Sequence, residues 1–399
     1  MTKVYVTGMG IISAIGNNVA ENRANLIKGQ TGLSKNSQYF SSQYTASHPF
    51  GEVQLSDEQI AQQLSITDLS GLTRTDLIAF KAFEEAVQDA GLQPDELSHV
   101  DTGLISGSTV GGMVLTDRVY QDGMLRAETD EFLESYDYCS HALRLTGYFR
   151  IKGFTDTINT ACSSSANAIM LGARLIKSGR AKRMIVGGAD SLAKFTVNGF
   201  NSLQILSDEI CQPFDENRKG LNLGEGAAYL VLESEEVVLG KKIYGEVAGY
   251  GNSNDAYHAS SLSEDAIGVI AAMQAAMDEA GIAAEAVDYI NAHGTATSNN
   301  DLTEVTGFDK LFKPIPPFNS TKSYTGHTLA AAGGIEAIYS LLSIKYGELY
   351  PSLHCHEAIQ PVNQLPITTY QSGENIRTVL SNSFGFGGNC TSLVFRKVD

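Results

Sequence analysis

The chain has 399 residues, of which 43% are hydrophobic and 18% are charged, so it carries enough apolar material for a folded core and has no signature of disorder. Its formal net charge of −17 argues against nucleic acid as a partner, because that binding depends on lysine and arginine neutralising phosphates. No stretch approaches the roughly 18 apolar residues that cross a membrane, and we identify no secretory leader. Because the five cysteines are scattered without CxxC spacing, we expect a soluble protein of the reducing cytoplasm.

Two helix–strand units recur along the chain in the same order. Residues 86–112 and 275–297 each predict an amphipathic helix ending in Ala-Gly, followed by Val-Asp, a strand and a loop of small residues. Residues 161–179 and 326–347 each predict a loop that leads into a helix ending in Lys-x-Gly. The recurrence predicts an internally duplicated α/β protein in which strands and helices alternate, with parallel or mixed sheets.

The repeated pattern is interrupted at residues 233–242, which predicts the division between the two units. The N-terminal half is therefore expected to comprise residues 1–237 and the C-terminal half residues 238–399. In a duplicated protein of this kind, corresponding loops converge across a pseudo-twofold axis, so chemistry-bearing residues on strand-end loops of both halves are expected to meet.

Cys162 lies between a β-rich run and a run rich in Ala, Leu and Ile, which predicts a strand-to-helix junction. A helix N-terminus carries about half a positive charge, which lowers a thiol pKa and favours the thiolate. The N–H groups exposed there can also hold an oxyanion. The alternative is a small buried hydrophobic residue, as most free cysteines are, and the other four cysteines keep that interpretation.

Two histidines lie on loops of the predicted C-terminal half. His293 follows a strand that ends at Asn291 and opens a loop of Gly and Thr, and His327 comes just before a helix. A helix N-terminus disfavours the imidazolium, and a neutral imidazole can donate a hydrogen bond to a carbonyl. Each histidine alone is more typical of a structural residue, but together with Cys162 they indicate a catalytic set.

Lys322 and Glu304 are close in sequence to these histidines. Lys322 precedes His327 by five residues, and Glu304 follows His293 by eleven. The functional interpretation is a pair that orients the histidines from behind. The alternative is an ordinary surface ion pair, which contributes little to stability.

Two further motifs have competing interpretations. The glycine-rich stretch 381–390, SNSFGFGGNC, allows close backbone approach to a ligand, or it is a tight turn that closes the last hairpin. The His-Cys-His run at 354–356 contains an HxH pattern that can bind zinc, but no second ligand pair with suitable spacing accompanies it, so we reject a zinc site.

Together these motifs resemble the β-ketoacyl-[acyl carrier protein] synthases I and II over essentially the whole chain. The similarity starts at VYVTGMGIISAIGNN and continues through NTACSSSANAI, PFDENRKGLNLGEGAA, NAHGTATSNND, STKSYTGHTLAAAGGIEAIYSLL and SNSFGFGGN. A synthase III would have Asn in place of His327, and a thiolase would have a second reactive cysteine that Cys390 does not supply. The resemblance implies a thiolase-like fold of two βαβαβαββ halves with a layered α/β/α/β/α core, usually a dimer.

The implied reaction is a two-step condensation. An acyl group passes from the phosphopantetheine thioester of an acyl carrier protein to Cys162, and malonyl-carrier then loses carbon dioxide and attacks the acyl-cysteine. Neutral His293 and His327 would stabilise the enolate oxygen, and the backbone N–H groups of Cys162 and Phe386 would hold the tetrahedral oxyanion. Phe386 also matches the gating phenylalanine of the family. No metal or organic cofactor is implied, because phosphopantetheine arrives on the carrier.

The resemblance assigns further roles residue by residue. Thr295 and Thr297 match threonines that bind the pantetheine arm, and Ser260 stands where another such threonine is usual. Asp255 and His258 match residues of the loop that forms the second part of the gate.

Two more assignments concern the acyl pocket and an ion. Val110 resembles the position that limits the depth of the acyl pocket. Asn291, Glu336, Ser381 and Asn382 match a site for a structural Na or K ion.

The chain departs from the family in two places, which leaves its pathway open. The usual GFGGTN is GFGGNC, with Asn389 and Cys390 as the changed residues. The segment 191–220 looks more like the synthases of aryl-polyene and flexirubin-type pigment pathways than like housekeeping fatty-acid synthases. Either fatty-acid or pigment and polyketide elongation therefore remains open, as does the acyl chain.

Alternatives to a condensing enzyme are weighed from the same residues. Chain-length factors are non-catalytic partner subunits without the nucleophile, whereas this chain has Cys162. An acyltransferase that forms ketones without decarboxylation is disfavoured by the HGT and GHT motifs.

The expected carrier protein is acidic and needs a local basic surface, for which Arg74, Lys81 and Arg126 are candidates unless they are solvated helix-face charges. A homodimer is expected, with a heterodimer as the alternative.

Overall fold

The computed structural model describes residues 2–125 and 133–399. Within these ranges ten strands form one mixed sheet, and two short strand pairs lie apart from it. The strands are β1 (Val4–Ser13), β2 (Leu33–Ser34), β3 (Phe50–Gly51), β4 (Thr102–Gly107), β5 (Thr155–Ile158), β6 (Arg183–Asp190), β7 (Gly226–Ser234), β8 (Gly245–Asn254), β9 (Tyr289–Asn291), β10 (Phe318–Asn319), β11 (Glu348–Leu349), β12 (Gln371–Ser372), β13 (Thr378–Gly385) and β14 (Asn389–Arg396).

Helices connect these strands in an order that repeats. The α-helices of the described ranges are α1 (Val19–Lys28), α2 (Asp57–Gln63), α3 (Arg74–Asp89), α4 (Pro94–Leu97), α5 (Thr116–Leu125), α6 (Ser140–Phe149), α7 (Ser164–Lys177), α8 (Lys194–Ser202), α9 (Ile267–Ala280), α10 (Ser298–Leu311), α11 (Lys322–Thr325) and α12 (Ala332–Tyr346). In this part of the chain, no helix combines the length and the apolar character needed to cross a bilayer.

The sheet has the same strand order in both halves of the chain. Its order is β10-β9-β13-β14-β8-β1-β7-β6-β4-β5. When the five sheet strands of each half are numbered in chain order, both halves read third, second, fourth, fifth and first from the outer edge to the centre. The halves join where β1 pairs with β8 at Tyr5–Glu246 and Val6–Gly245. The main elements follow βαβαβαββ twice, which confirms the internal duplication. The predicted division at residue 237 falls in the connection between β7 and β8 and stays a prediction.

Side chains of the sheet alternate between two helical environments. Along β7, Tyr229 and Val231 pack with α3 and α6, whereas Leu230 and Leu232 face a core shared with α7 and α12. Helices α7 and α12 contact each other in the middle of the molecule, and α9 with α10 covers β8 and β14 on the remaining side. The layered α/β/α/β/α arrangement predicted from the resemblance is therefore confirmed.

Paired glycines in the first strand of each half allow a helix, α3 in the first half and α9 in the second, to approach that strand closely. A β-carbon at Gly8 or Gly10 of β1 would lie 2.4 or 2.0 Å from a backbone oxygen of α3. A β-carbon at Gly249 or Gly251 of β8 would lie 2.2 or 2.1 Å from a backbone oxygen of α9. Only glycine permits contacts this close, so both halves of the sequence use a pair of glycines for the same helix–strand packing.

Candidate active site

Cys162 lies in the short turn between the end of β5 and the start of α7, as the sequence predicts. Ala161 before it has a φ of 52°, a left-handed conformation that costs a residue with a β-carbon roughly 1 kcal/mol. The side chain of Cys162 is almost fully buried, with 5% of its surface exposed. The turn therefore presents the thiol at a helix N-terminus from a locally strained backbone.

The electrostatic setting of the thiol differs from the sequence-based expectation. Burial raises the pKa of the Cys162 thiol to about 12, while the Lys322 ammonium and the backbone N–H of Phe386, which points at the sulfur, act in the opposite direction. The expectation of a lowered pKa considered only the helix terminus and omitted the cost of burying a thiolate. The resting residue is therefore a thiol.

His293 and His327 meet in the interior although they lie on different loops. Their ring centroids are 5.4 Å apart and the rings are nearly perpendicular, at 84°. Burial, followed by the charge of Lys322, holds the pKa of each imidazole well below its usual value. Both rings are therefore neutral, as the sequence predicts, but burial and Lys322 are the cause rather than a helix terminus.

Lys322 is buried behind His293 and makes three contacts. Its Nζ lies 2.5 Å from the backbone oxygen of His293 and 3.3 Å from its Nδ1, and it forms an ion pair with the Glu336 carboxylate. Lys322 therefore forms no ion pair with Glu304, and the alternative of a surface ion pair between them is wrong, because both residues are buried. Since the ammonium can only donate, Nδ1 of His293 accepts and its proton lies on Nε2.

Glu304 holds the loop of His293 through the backbone. One oxygen accepts the N–H of His293 and the other accepts the N–H of Gly294, each at 2.9 Å, and Asn382 donates to the carboxylate at 3.1 Å. Burial raises the pKa of Glu304 to about 7. Glu304 thus acts on the histidine loop directly, without an ion pair to Lys322.

The four residues matched to a cation site lie close together around β9 and β13. Asn291 is the register partner of Ser381, and Oδ1 of Asn291 and Oε2 of Glu336 are buried atoms without a hydrogen-bond partner. Free buried oxygens of this kind fit a monovalent cation. The side chain of Asn382 is already engaged, because it donates to Glu304 and accepts from Ser392. No group of three His, Cys, Asp or Glu side chains that could hold a metal ion occurs in the described ranges.

A cavity of about 310 Å³ brings the predicted catalytic residues together. Thr295 and Thr297 lie on its wall with their hydroxyl oxygens 2.9 Å apart. Ser260 also lies on the wall, whereas His258 does not. The Nδ1 of His258 accepts a hydrogen bond from the backbone N–H of Ser260. The residues of the predicted site that line this cavity are Cys162, His293, His327, Thr295, Thr297, Ser260 and Phe386.

A second cavity of about 390 Å³ begins at the same thiol and is mostly apolar. Val110 lies on its wall, where the resemblance places a residue that limits acyl depth. Cys162, Phe200, Leu203 and Phe386 line both cavities, so they separate one from the other. Phe200 stacks on Phe386 with ring centroids 5.4 Å apart and an interplanar angle of 21°.

The two loops predicted to form the gate are hydrogen-bonded to each other. The N–H of Gly387 donates to Ala259, and the N–H of Asp255 donates to the oxygen of Gly388 at 2.7 Å. The Asp255 carboxylate is held by the N–H and hydroxyl of Ser263. The glycine-rich stretch is at once the turn of the β13–β14 hairpin and part of the cavity wall, so both interpretations of this motif describe it.

Basic residues near the cavity differ from those proposed from the sequence. Arg74 is only partly exposed, and its guanidinium forms ion pairs with Glu225 and Asp57, so it is not available to a partner. Lys81 lies on α3, away from the residues that line the cavities. Arg126 lies outside the described residues. Lys219 lines the first cavity and forms an exposed ion pair with Glu209 at 2.8 Å.

Sequence reasoning missed Phe200, Leu203 and Lys219 as cavity residues. Phe200 and Leu203 belong to the segment that departs from the family, and that departure was the available signal. Their place beside Phe386 on the walls of the two cavities depends on how α8 packs, which no local pattern encodes.

Comparison with known proteins identifies the family. Residues 1–237 match the model of the beta-ketoacyl synthase N-terminal domain, and residues 244–356 match that of its C-terminal domain. A 3-oxoacyl-[acyl-carrier-protein] synthase 2 of Staphylococcus aureus (strain COL) is 35% identical, over 100% of this chain and 99% of that relative.

Solved structures agree with this result over the full length of both chains. The ishigamide ketosynthase/chain length factor superimposes with a TM-score of 0.93 at 28% identity, covering 100% of each chain. The complex of AntDE with AntF, a type II PKS acyl-carrier protein with its ketosynthase bound to the hexaketide, gives 0.89 at 27% identity and the same coverage. The chain therefore belongs to the β-ketoacyl synthase family and is an acyltransferase of that family.

Proposed function

We propose that this protein condenses an acyl group bound to Cys162 with malonyl-[acyl carrier protein], releasing carbon dioxide and 3-oxoacyl-[acyl carrier protein]. The observation that carries the proposal is the single cavity lined by Cys162, His293 and His327, which leads to a second, apolar cavity at the thiol. A nucleophile between a cavity that presents the hydroxyls of Thr295 and Thr297 and a mostly apolar cavity suits transfer of a long acyl group from a phosphopantetheine arm.

In the first step the Cys162 sulfur attacks the carbonyl carbon of the acyl thioester. The negative charge that develops on the carbonyl oxygen is stabilised by the backbone N–H groups of Cys162 and Phe386. The bond between the acyl carbon and the pantetheine sulfur then breaks, and that sulfur leaves with the proton that the thiol gives up. Because burial favours the protonated thiol, proton loss accompanies arrival of the thioester.

In the second step the malonyl group loses its carboxylate. The bond to the carboxyl carbon breaks, carbon dioxide leaves, and the electron pair forms an enolate whose oxygen receives hydrogen bonds from His293 and His327. The enolate carbon attacks the acyl-cysteine, the carbon–sulfur bond breaks, and Cys162 takes up one proton. That proton comes from solvent, whereas the Nε2 proton of His293 stays on the ring and hydrogen-bonds the enolate oxygen, because Lys322 occupies the Nδ1 side.

No resident metal or organic cofactor enters these steps, and the phosphopantetheine is supplied by the carrier protein. A bound sodium or potassium ion would supply charge neutralisation between the free oxygens of Asn291 and Glu336. This role is structural, since both residues lie behind the histidine loops rather than on the cavity wall.

The partners follow from the same reaction and from the neighbours. An acyl carrier protein delivers both the acyl and the malonyl groups, as AntF is bound to its ketosynthase. A dimer is favoured, and a heterodimer with a chain length factor has a parallel in the ishigamide ketosynthase/chain length factor. The pigment pathway and the cytoplasmic location stay predictions. A non-catalytic role as a partner subunit is disfavoured because the chain has Cys162.

Intact-mass analysis tests the proposal. Wild type and Cys162→Ala are incubated with carrier proteins loaded with acyl groups of several lengths, and malonyl-carrier is then added. We expect a mass gain on wild type only, its discharge by malonyl-carrier, and a 3-oxoacyl product on the carrier. Failure of every acyl-carrier to load wild type would overturn the catalytic assignment and favour the partner-subunit role.

A further inference from the structure

A cluster of polar side chains surrounds Asn389, one of the two residues at which this chain departs from the usual glycine-rich motif. Its Oδ1 accepts from the hydroxyl of Ser163 at 2.8 Å, from Nδ2 of Asn167 at 2.9 Å and from Nδ2 of Asn252 at 3.0 Å. The oxygen of Asn167 in turn accepts from Asn252 at 3.0 Å and from Thr391 at 2.9 Å. We call these five residues the Asn389 cluster.

The Asn389 cluster ties together three elements that meet at the gate. Asn252 belongs to β8, Asn389 and Thr391 belong to β14, and Asn167 belongs to α7. Ser163 immediately follows Cys162. The cluster therefore links the strand that leaves the gate to the turn and helix that present the nucleophile.

The backbone on both sides of Phe386 is rich in glycine and therefore flexible. Gly387 and Gly388 have φ angles of 86° and 83°, in the left-handed region where glycine is favoured. On the other side of Phe386, a β-carbon at Gly385 would lie 2.5 Å from the oxygen of Thr160. Both ends of the Phe386 segment thus contact the turn that carries Cys162. Gly385 packs against it at one end, and the Asn389 side chain is hydrogen-bonded to it at the other.

We propose that Asn389 is a positioning residue that holds the backbone N–H of Phe386 in register with Cys162. The inference rests on the proposed function, because the N–H of Phe386 matters only if an oxyanion forms there. An oxyanion donor is effective only at about 2.7–3.1 Å from the charge, so a small displacement of the segment removes its contribution. Backbone hydrogen bonds tie Gly387 and Gly388 to the second gate loop, whereas the Asn389 side chain connects the Phe386 segment to α7.

The test separates oxyanion stabilisation from intactness of the nucleophile. Single-turnover loading of Cys162 is measured with octanoyl-carrier protein, or with the acyl chain that wild type loads fastest. Alkylation of Cys162 by iodoacetamide is followed in parallel by peptide mass analysis. Alkylation is a displacement at a saturated carbon and forms no oxyanion, so it reports only on the thiol.

We expect Asn389→Ala to slow acyl loading at saturating carrier about tenfold or more, with unchanged carrier affinity and a clearly smaller fall in alkylation, because the displaced N–H of Phe386 also stabilises the thiolate. Asn167→Ala should have a similar effect, and the double variant should be no slower than the slower single variant, because both remove the same link. Asn25→Ala, which removes an amide that donates to the Ile15 oxygen at 2.7 Å far from the gate, is the matched control and should leave loading unchanged.

Two results would overturn the inference. If Asn389→Ala loads as fast as wild type, the side chain does not position the donor. If loading and alkylation fall by the same factor, the side chain supports the nucleophile or the fold instead. Wild type that fails to load at all overturns the proposed function itself, and the inference with it.

Discussion

The two halves of the molecule place different chemistry on corresponding loops. After the third strand, the first half has Cys162 before α7, whereas the second half has His327 before α12. After the second strand, the first half has the loop that ends in Val110, and the second half has His293. The framework was kept after duplication and the strand-end loops diverged, so that in the proposed reaction one half would carry the acyl group and the other would act on malonate.

The buried charges behind these loops also differ between the halves. In the first half, the Asp190 carboxylate accepts hydrogen bonds from Thr109 and Val110 and reaches across to the N–H of Ala330. In the second half, the cation Lys322 lies behind His293. A carboxyl group therefore holds the loop of the acyl cavity, and burial together with the charge of Lys322 keeps the imidazoles neutral.

The largest expected effect is a separation of the two chemical steps. His293→Ala and His327→Ala should reduce condensation about 1,000-fold, because each removes a donor to the enolate oxygen, while loading of Cys162 stays close to wild type. Loading by mass and product formation by chromatography check this. His99→Ala, which removes an exposed imidazole that lines neither cavity, is the control. Loss of loading in the histidine variants would mean that the halves do not divide the steps.

Next in size is the effect of breaking the buried ion pair in the second half. Lys322→Met should lower the free energy of unfolding by roughly 3–5 kcal/mol, because it leaves the Glu336 carboxylate buried and uncompensated. Adding Glu336→Gln should restore part of this loss. Lys313→Met, which breaks an exposed pair with Asp309, should cost less than about 1 kcal/mol. Equal losses in urea denaturation for the two lysine variants would contradict the assignment.

A smaller effect is expected in the acyl cavity of the first half. Val110→Phe should fill space near the thiol and slow loading of long acyl chains by roughly 30-fold, while two-carbon and four-carbon chains load normally. Val110→Ala should do the reverse. A panel of acyl-carrier proteins measures the chain-length profile. A profile that does not move in either variant would place the limit of the cavity elsewhere.

The smallest effect per residue is on stability at acid pH. His293 and His327 are neutral when folded and have ordinary pKa values near 6.5 when unfolded, so the unfolded state binds more protons below that pH. Relative to pH 7.5, wild type should therefore lose about 1.4 kcal/mol per imidazole at pH 5.5, compared with a variant carrying His293→Gln and His327→Gln. Parallel pH profiles of unfolding for the two proteins would show that the imidazoles titrate alike in both states.

Much of the fold follows from patterns that are local in sequence. The repeated helix–strand units predicted the duplication, and the loop positions of Cys162, His293 and His327 followed from the runs that flank them. Contacts between distant segments were not predictable in the same way. The partner of Lys322 is Glu336 rather than Glu304, because the choice between two buried carboxylates depends on how α12 packs.

The same limit applies to electrostatics and to the gate. A helix N-terminus predicts a lowered thiol pKa for Cys162, but the degree of burial decides the direction, and burial is a property of the assembled layers. Asn389 was visible as a departure from the family motif, yet its partners on α7 and β8 lie more than 100 residues away along the chain. Motif knowledge identified the reacting atoms, and tertiary structure supplied what surrounds them.

The place of β1 in the sheet has a consequence for how the chain is made. This strand holds the centre of the sheet, with Val4 paired to Ser234 on one side and Tyr5 paired to Glu246 on the other. During synthesis from the N-terminus, β1 must wait for more than half of the chain before either neighbour exists. Pairing between segments so distant is slow, and an unpaired apolar strand is prone to aggregation. We therefore expect chaperones to protect the nascent chain against aggregation until β7 and β8 have emerged from the ribosome.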